Sequence, residues 1–231
     1  MNSILTKPSR IAQRRRVLLV DDHPLIRERL SEIINRESDL TVCAEAEDRH
    51  EALGAVESAQ PDLIIVDLTL KNSDGIELIH DIHSRWPAQL MLVVSMHDES
   101  LYAERVLRAG ARGYITKQEA TRNILLAIRS VLNGNIYLNP NVSTQIIRRL
   151  TAGRGPETLS PTAFLADREL QVFELTGRGL NTRQIAQQLN IGSKTVETYR
   201  RRIRDKLKLK NPSDLLQLAI TWAHQDRTSP R

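Results

Sequence analysis

Short apolar runs, each closed by a polar group, recur along the first half of the chain. Val17-Leu18-Leu19-Val20, Leu63-Ile64-Ile65-Val66 and Met91-Leu92-Val93-Val94 are continuous and mostly β-branched or leucine. That is the pattern of strands covered on both faces, as in parallel sheets. Between these runs the apolar positions repeat with helical spacing. The alternation predicts strand 17–22, helix 24–37, strand 40–46, helix 49–59, strand 62–68 and helix 75–86, then strand 90–96, helix 99–109, strand 113–116 and helix 119–132. Five βα units with short joints predict an α/β fold, an open sheet between two helical layers. Gly110, Gly113 and Gly134 punctuate helix ends, and Pro24 suits a first helical turn. Ile124, Leu125, Ile128 and Leu132 form the core face of the last of these helices.

Beyond residue 132 the pattern changes. Asn139-Pro140-Asn141 reads as a turn, 142–150 as a short helix and 151–156 as linker. From Asp167 on, every signal is helical. Helix 167–176 is stopped by Gly177 and Gly179. Asn181 caps a second helix, with Gln184 placed to reach back. That helix ends near Leu189, Asn190-Ile191-Gly192 forms a tight turn, and Ser193 is placed to cap a third running to about Lys208. Asn211-Pro212-Ser213 separates a fourth, 214–224. Two short helices joined by a turn with glycine match a helix-turn-helix. The expected organisation is a basic, unstructured arm over 1–16, an α/β domain over 17–132, a linker over 133–163 and a small all-α domain over 164–231.

Composition sharpens this. The 231 residues leave room for two ordinary domains, each with its own core. No apolar run is long enough to cross a bilayer, and the basic start lacks the apolar core of a signal peptide. A cytoplasmic protein without a membrane partner is expected. The lone cysteine, Cys43, cannot close an internal disulfide, which fits a reducing compartment. It lies in strand 40–46, where a buried, inert thiol is expected. The net charge of +5 hides a polarity: +5 over 1–16, −8 over 17–132, +2 over 133–164 and +6 over 165–231. An acidic body joined to a basic tail suggests separate partners, nucleic acid being the first candidate for the tail. A solvated surface would explain the charge equally well.

Chemistry converges where the strands end. Asp21 and Asp22 follow strand one, Asp67 closes strand three, Ser95 closes strand four and Lys117 follows strand five. In a doubly wound sheet, ligands bind outside these carboxyl ends. Carboxylates about 4 Å apart repel by roughly 4 kcal/mol at an effective dielectric of 20, so a cation is called for. Mg2+ fits, since it takes oxygen ligands and commonly helps to bind phosphate. An Asp67 oxygen could then attack a phosphoryl group, while Lys117 and the Ser95 hydroxyl hold the oxygens that the metal does not. Alternatives exist for single residues: Asp22 could cap helix 24–37, and Tyr114 could be ordinary packing. His80 and His83 share a helix face without further ligands, and Trp86 and Trp222 read as packing.

Taken together, Asp21, Asp22, Asp67, Ser95 and Lys117 resemble the receiver domain of two-component response regulators, over 17–132. The resemblance implies a flavodoxin-like five-stranded parallel sheet and phosphorylation of Asp67 by a sensor histidine kinase. It implies Mg2+ on Asp22, Asp67 and the Thr69 carbonyl, with Asp21 acting partly through water. Ser95 and Tyr114 fall on the family's switch positions, where the hydroxyl moves to the phosphate and the ring turns inward. The loop after Asp67 departs from the family's common Met-Pro; here it is Leu70-Lys71.

The basic tail concentrates Lys194, Arg200, Arg201, Arg202, Arg204, Lys206 and Lys208 in helix 193–208, as salt-dependent phosphate contacts require. Arg168-Glu169, Asn181, Ile185-Ala186, Leu189, Ile191, Ser193-Lys194-Thr195-Val196-Glu197, Ile203 and Lys206-Leu207 are similar to the LuxR-type helix-turn-helix. That resemblance implies a recognition helix in the major groove of promoter DNA. Its DNA-facing set is Lys194, Thr195, Glu197, Thr198, Tyr199, Arg200, Arg201 and Arg204. Glu197, Thr198 and Arg201 fall on base-facing positions; Lys194, Tyr199, Arg200 and Arg204 suit phosphates or orientation. Glu197 and Arg201 could equally pair on the surface. Ala166 stands where the family usually has a threonine cap, so that helix could start elsewhere, at Thr162 for instance. Leu215, Leu218 and Trp222 of the last helix are expected to serve a homodimer on DNA.

The whole chain thus resembles a NarL/FixJ-class regulator, a binding protein and not an enzyme beyond its own phosphorylation and dephosphorylation. One rival is the same fold working without phosphorylation under a partner protein. Another is an aspartyl-phosphate phosphatase of the haloacid dehalogenase type, which wants a second carboxylate where Thr69 stands.

Overall fold

The computed structural model describes residues 14–71, 73–151, 162 and 165–228. In chain order its elements are β1 (Arg15–Val20), α1 (Pro24–Asn35), β2 (Leu40–Ala46), α2 (Arg49–Ala59), β3 (Leu63–Val66), β4 (Thr69–Leu70), β5 (Ser73–Asp74) and α3 (Gly75–Arg85). They continue with β6 (Leu90–Ser95), α4 (Glu99–Ala109), β7 (Gly113–Thr116), α5 (Lys117–Leu132) and α6 (Pro140–Thr151). Last come α7 (Asp167–Gly177), α8 (Thr182–Gln188), α9 (Ser193–Leu207) and α10 (Pro212–Thr228).

Strand side chains alternate between two cores. Val17, Leu19, Leu63, Ile65, Leu92, Val94 and Ile115 meet α1 and α5 on one side. Leu18, Val20, Ile64, Val66, Met91 and Val93 meet α2, α3 and α4 on the other. That is why these strands read as unbroken apolar runs. The sheet is wholly parallel in the order β2-β1-β3-β6-β7, the flavodoxin-like arrangement expected. From β1 the chain steps outward to β2 and returns past β1 to β3, so the ends of β1 and β3 frame the switch point of the sheet. α7 to α10 form a helical unit around Phe173, Ile185, Leu189, Val196, Ile203, Leu215 and Ala219, and its core is continuous with the α2–α4 side of the sheet. No helix among the described residues is long and apolar enough to cross a membrane.

Several boundaries differ from the sequence reading. The arm expected over 1–16 gives up its end to β1, because each arginine there finds an acceptor. Arg15 pairs with Asp62 at 2.8 Å, and Arg16 donates to Ala59 O at the end of α2, where a cation suits the helix dipole. Residues 1–13 lie outside the described set, as does linker 152–161. β3 stops at Val66 and a two-residue hairpin, β4–β5, follows Asp67; so short an antiparallel pair leaves no periodic signal. α5 begins at Lys117, capped by Thr116. α9 is preceded by Gly192, and Ser193 is its first residue and not its cap. Asn181 does cap α8, and Gln184 reaches back to it at 2.9 Å. α7 starts at Ala166 without a side-chain cap; the Glu169 carboxylate accepts from the Ala166 N–H at 2.8 Å and supplies the missing half. Cys43 is half-buried in edge strand β2, where burial pushes its thiol pKa up and disfavours the reactive thiolate.

Candidate functional site

Asp67 follows directly on β3 and is 3 % exposed. Gly75, the first residue of α3, lets that helix come close: a Cβ there would lie 2.2 Å from Asp67 O. Lys117, the first residue of α5, reaches across and holds Asp67 Oδ2 at 2.7 Å and Asp21 Oδ2 at 2.6 Å. Asp21, Asp22, His23 and Asp67 each bring a ligand atom within 4.8 Å of the others. The sequence reading missed His23, which is the residue before α1. Its backbone N–H donates to Asp21 Oδ1 at 2.9 Å and its Nδ1 lies 2.7 Å from Asp22 Oδ1. Because α1 has no side-chain cap, Asp22 is left for the acidic pocket.

Burial pushes the Asp67 carboxyl up, against the opposing charge of Lys117. Burial also pulls on Lys117, but the Asp67 and Asp21 carboxylates outweigh it and keep the ammonium charged. Asp67 Oδ1 is buried and finds no hydrogen-bond donor. A buried carboxylate oxygen without a partner is costly, and the Asp21 and Asp22 carboxylates lie close to Asp67. The donor set, all oxygen with one imidazole at its rim, suits a hard divalent cation. The acidic residues present therefore fit the Mg2+ expected from the sequence.

Ser95 ends β6, fully buried, and contacts both Asp67 and the Tyr114 hydroxyl. Tyr114 is buried too, its ring already inward and its hydroxyl donating to His97 O at 2.9 Å. His97 carries no local signal that would mark it in advance. Its Nε2 meets Thr69 Oγ1 at 3.2 Å and its Nδ1 meets Glu174 Oε2, on α7, at 3.1 Å. Tyr102 adds a hydroxyl bond to the same oxygen at 3.3 Å. Burial works against the Glu174 charge, but His97, Arg178 and Tyr102 outweigh it and hold the carboxyl below its ordinary range.

Around this contact α7 docks on the α/β unit. Arg105 of α4 donates to Leu165 O at 2.8 Å, Asp167 Oδ1 at 2.7 Å and Thr162 O at 2.7 Å. Arg168 of α7 meets Asp74 Oδ2 at 3.2 Å and Ser73 O. Contacts separated by 57 to 95 residues leave no local signature.

α9 presents the basic face. Lys194, Thr195, Glu197, Arg201 and Arg202 are exposed; Thr198, Tyr199, Arg200 and Arg204 are half-buried. Val196 and Ile203 anchor the inner side. Glu197 turns towards Thr182 and Arg200, leaving Arg201 outward. On α10, Leu215 is only 3 % exposed and packs inside the bundle, and Trp222 packs against Phe173 with the rings tilted and their centres 5.4 Å apart. Leu215 is thus spent on folding, and its neighbour Leu216 is the outward leucine.

Comparison with known proteins agrees with both halves. Residues 17–129 match the response regulator receiver domain, and 163–219 match the bacterial regulatory proteins of the luxR family. The oxygen regulatory protein NreC of Staphylococcus carnosus is 32 % identical over 209 residues, 89 % of this chain and 96 % of that protein. Among solved structures, a LuxR-family two-component response regulator from Aurantimonas sp. SI85-9A1 is 34 % identical with a TM-score of 0.56, covering 60 % of this chain and 99 % of that one. RcsB from Salmonella enterica serovar Typhimurium, bound to promoter rprA with the phosphomimetic BeF3-, is 25 % identical with a TM-score of 0.57, covering 90 % and 98 %. A buried aspartate held by lysine at a sheet's switch point, joined to a basic helix-turn-helix, therefore places this chain among the two-component response regulators of the NarL/FixJ class, DNA-binding regulators and not enzymes.

Proposed function

We propose that a sensor histidine kinase phosphorylates Asp67 and that the phosphoryl group controls how α9 engages promoter DNA. The receiver would span 17–132, the linker 133–163 and the DNA-binding domain 164–231, in the cytoplasm. The observation that carries this is the state of Asp67: one oxygen is neutralised by Lys117, the other is buried without a donor beside Asp21 and Asp22. Oδ1 is the free nucleophile. It attacks phosphorus as the nitrogen–phosphorus bond of the donor breaks, and Lys117 remains to neutralise the new phosphoryl oxygens together with the Ser95 hydroxyl. Asp22, Asp67 and the Thr69 carbonyl, with Asp21, would hold Mg2+, which would supply charge neutralisation for the incoming phosphoryl.

Ser95, Thr69 and the Tyr114 hydroxyl link the pocket to His97. Drawing Ser95 towards a phosphoryl group moves the 95–97 segment and with it the His97–Glu174 bond, so the α7 docking face is loosened. α9 then binds duplex as a homodimer, as RcsB dimers do on DNA. Leu216 and the half-buried Leu218 and Trp222 offer an apolar edge for pairing.

Duplexes selected by the full-length protein from a randomised pool provide the probe. Acetyl phosphate or beryllofluoride with Mg2+ is expected to change affinity for them at least about tenfold, a difference of 1.4 kcal/mol, and Asp67→Asn is expected to abolish the response. Equal affinity with and without phosphodonor would assign the chain to the phosphorylation-independent class.

A further inference from the structure

Glu197 is an acidic residue on an otherwise cationic helix face, and its position is fixed from the neighbouring helix. Thr182, the first residue of α8, donates its hydroxyl to Glu197 Oε1 at 2.6 Å. Arg200 Nη1 lies 2.8 Å from the same threonine oxygen and 3.5 Å from Glu197 Oε1, and its Nη2 points to Leu180 O at 3.4 Å. Guanidinium can only donate and a hydroxyl carries one hydrogen. The direction of the chain is therefore settled: Arg200 donates to Thr182, and Thr182 donates to Glu197.

Arg200 does not have the setting of a phosphate clamp. Its side chain is 22 % exposed against 59 % for Glu197, and its Nε–H is buried with no acceptor. A buried donor without a partner is a cost that a solvent-facing phosphate contact would not carry. The arrangement holds one oxygen of an exposed carboxylate still and leaves the other without a hydrogen bond among the described residues.

We infer that Thr182 and Arg200 are positioning residues for base recognition: they fix the Glu197 side chain before DNA arrives, so that Oε2 is presented to a base amino group, cytosine N4 above all. This rests on the reading of α9 as the major-groove helix. A carboxylate near phosphates is repelled; Arg200 offsets that charge locally, while the Thr182 bond restricts the rotamer. Recognition through Glu197 then loses less side-chain freedom on binding, and its direction discriminates an amino donor from a carbonyl acceptor.

The test uses the full-length protein with duplexes it selects from a randomised pool, measuring affinity for every single-base variant of the selected site. Glu197→Ala is expected to flatten discrimination at one base pair per half-site, which locates the contact. Thr182→Val is expected to lower discrimination at that same pair about fivefold, to leave the other pairs and the slope of affinity against salt unchanged, and to be rescued by Thr182→Ser. Arg200→Lys, which lacks the fork that spans Thr182 and Leu180 O, is expected to reproduce the loss and keeps the test open if the valine variant is unstable. If Glu197→Ala alters no position, α9 does not read bases through Glu197 and the underlying reading falls. If Glu197→Ala flattens one pair but Thr182→Val and Arg200→Lys do not, the reading stands and the positioning role is overturned. A uniform loss with a shallower salt slope would mean that these residues touch phosphate, and overturns it too.

Discussion

Glu99 is a residue outside the acidic pocket whose surroundings alter its chemistry. Burial, with Glu119 and Asp98 nearby, pushes its carboxyl from an ordinary 4.5 to about 7, although the Asn139 N–H donates to it at 2.7 Å. The folded protein therefore keeps a proton that the unfolded chain releases. Its contribution to stability is full below about pH 4.5 and is lost as pH rises through about 7. Denaturant unfolding is expected to show stability falling across that window by up to about 3 kcal/mol more in the natural protein than in Glu99→Gln; identical pH profiles would refute it. Nothing local in the sequence marks Glu99, because its burial comes from the segment 40 residues later that folds back over α4. Asp21, Asp22, Asp67, Ser95 and Lys117 were legible for the opposite reason. Each closes or follows a strand, and a parallel sheet carries all strand ends to one edge. His97 and Glu174 gave no such signal, since each acquires its meaning only from the other.

Among elements, the join between β3 and α3 carries the most function for the fewest residues. Gly75 brings the N-terminus of α3 against the backbone of Asp67 and Leu68 and donates its N–H to Leu68 O at 3.0 Å. A methyl group there would meet Asp67 O at 2.2 Å and Leu68 Cα at 2.6 Å, backbone that cannot yield cheaply. Gly75→Ala is expected to cost about 1–3 kcal/mol and, because the displaced atoms belong to Asp67, to slow phosphoryl uptake from acetyl phosphate in the fraction that stays folded. Thermal melting with a phosphorylation time course checks both; an unchanged rate would show that the acceptor tolerates movement. The helices and the five long strands could be read from periodicity, which buried faces impose over many residues. The β4–β5 hairpin could not, nor could the start of α9: Gly192 precedes it and Ser193 falls inside, although serine is the better cap by type.

At the scale of the molecule, the docking of α7 against α4 and the start of α3 rests on charged hydrogen bonds with buried ends. Arg105 alone satisfies three acceptors, two at the start of the output unit and the Thr162 carbonyl just before it. Bonds to charged groups are each worth about 1.5–3 kcal/mol when their loss strands a partner. Arg105→Ala is expected to open the protein without any phosphodonor, seen as a larger radius of gyration in small-angle scattering at low salt, and Glu174→Gln to do so more weakly. Unchanged scattering in both would show that this face does not hold the resting state. The opposed charges of −8 over 17–132 and +6 over 165–231 favour closure in general but do not say which surfaces meet, because the face used is neutralised residue by residue and not by net charge.

The docked surface is α7, whereas Lys194, Glu197 and Arg201 of α9 stay open to water. On the function proposed above, silence in this regulator is a matter of alignment and not of concealment: a shut copy still presents α9 to a duplex, and release of α7 is what lets two copies meet in register across a dyad. A DNA carrying one half-site should be gripped alike by the resting and the activated forms, and the two should part only on a DNA carrying a pair.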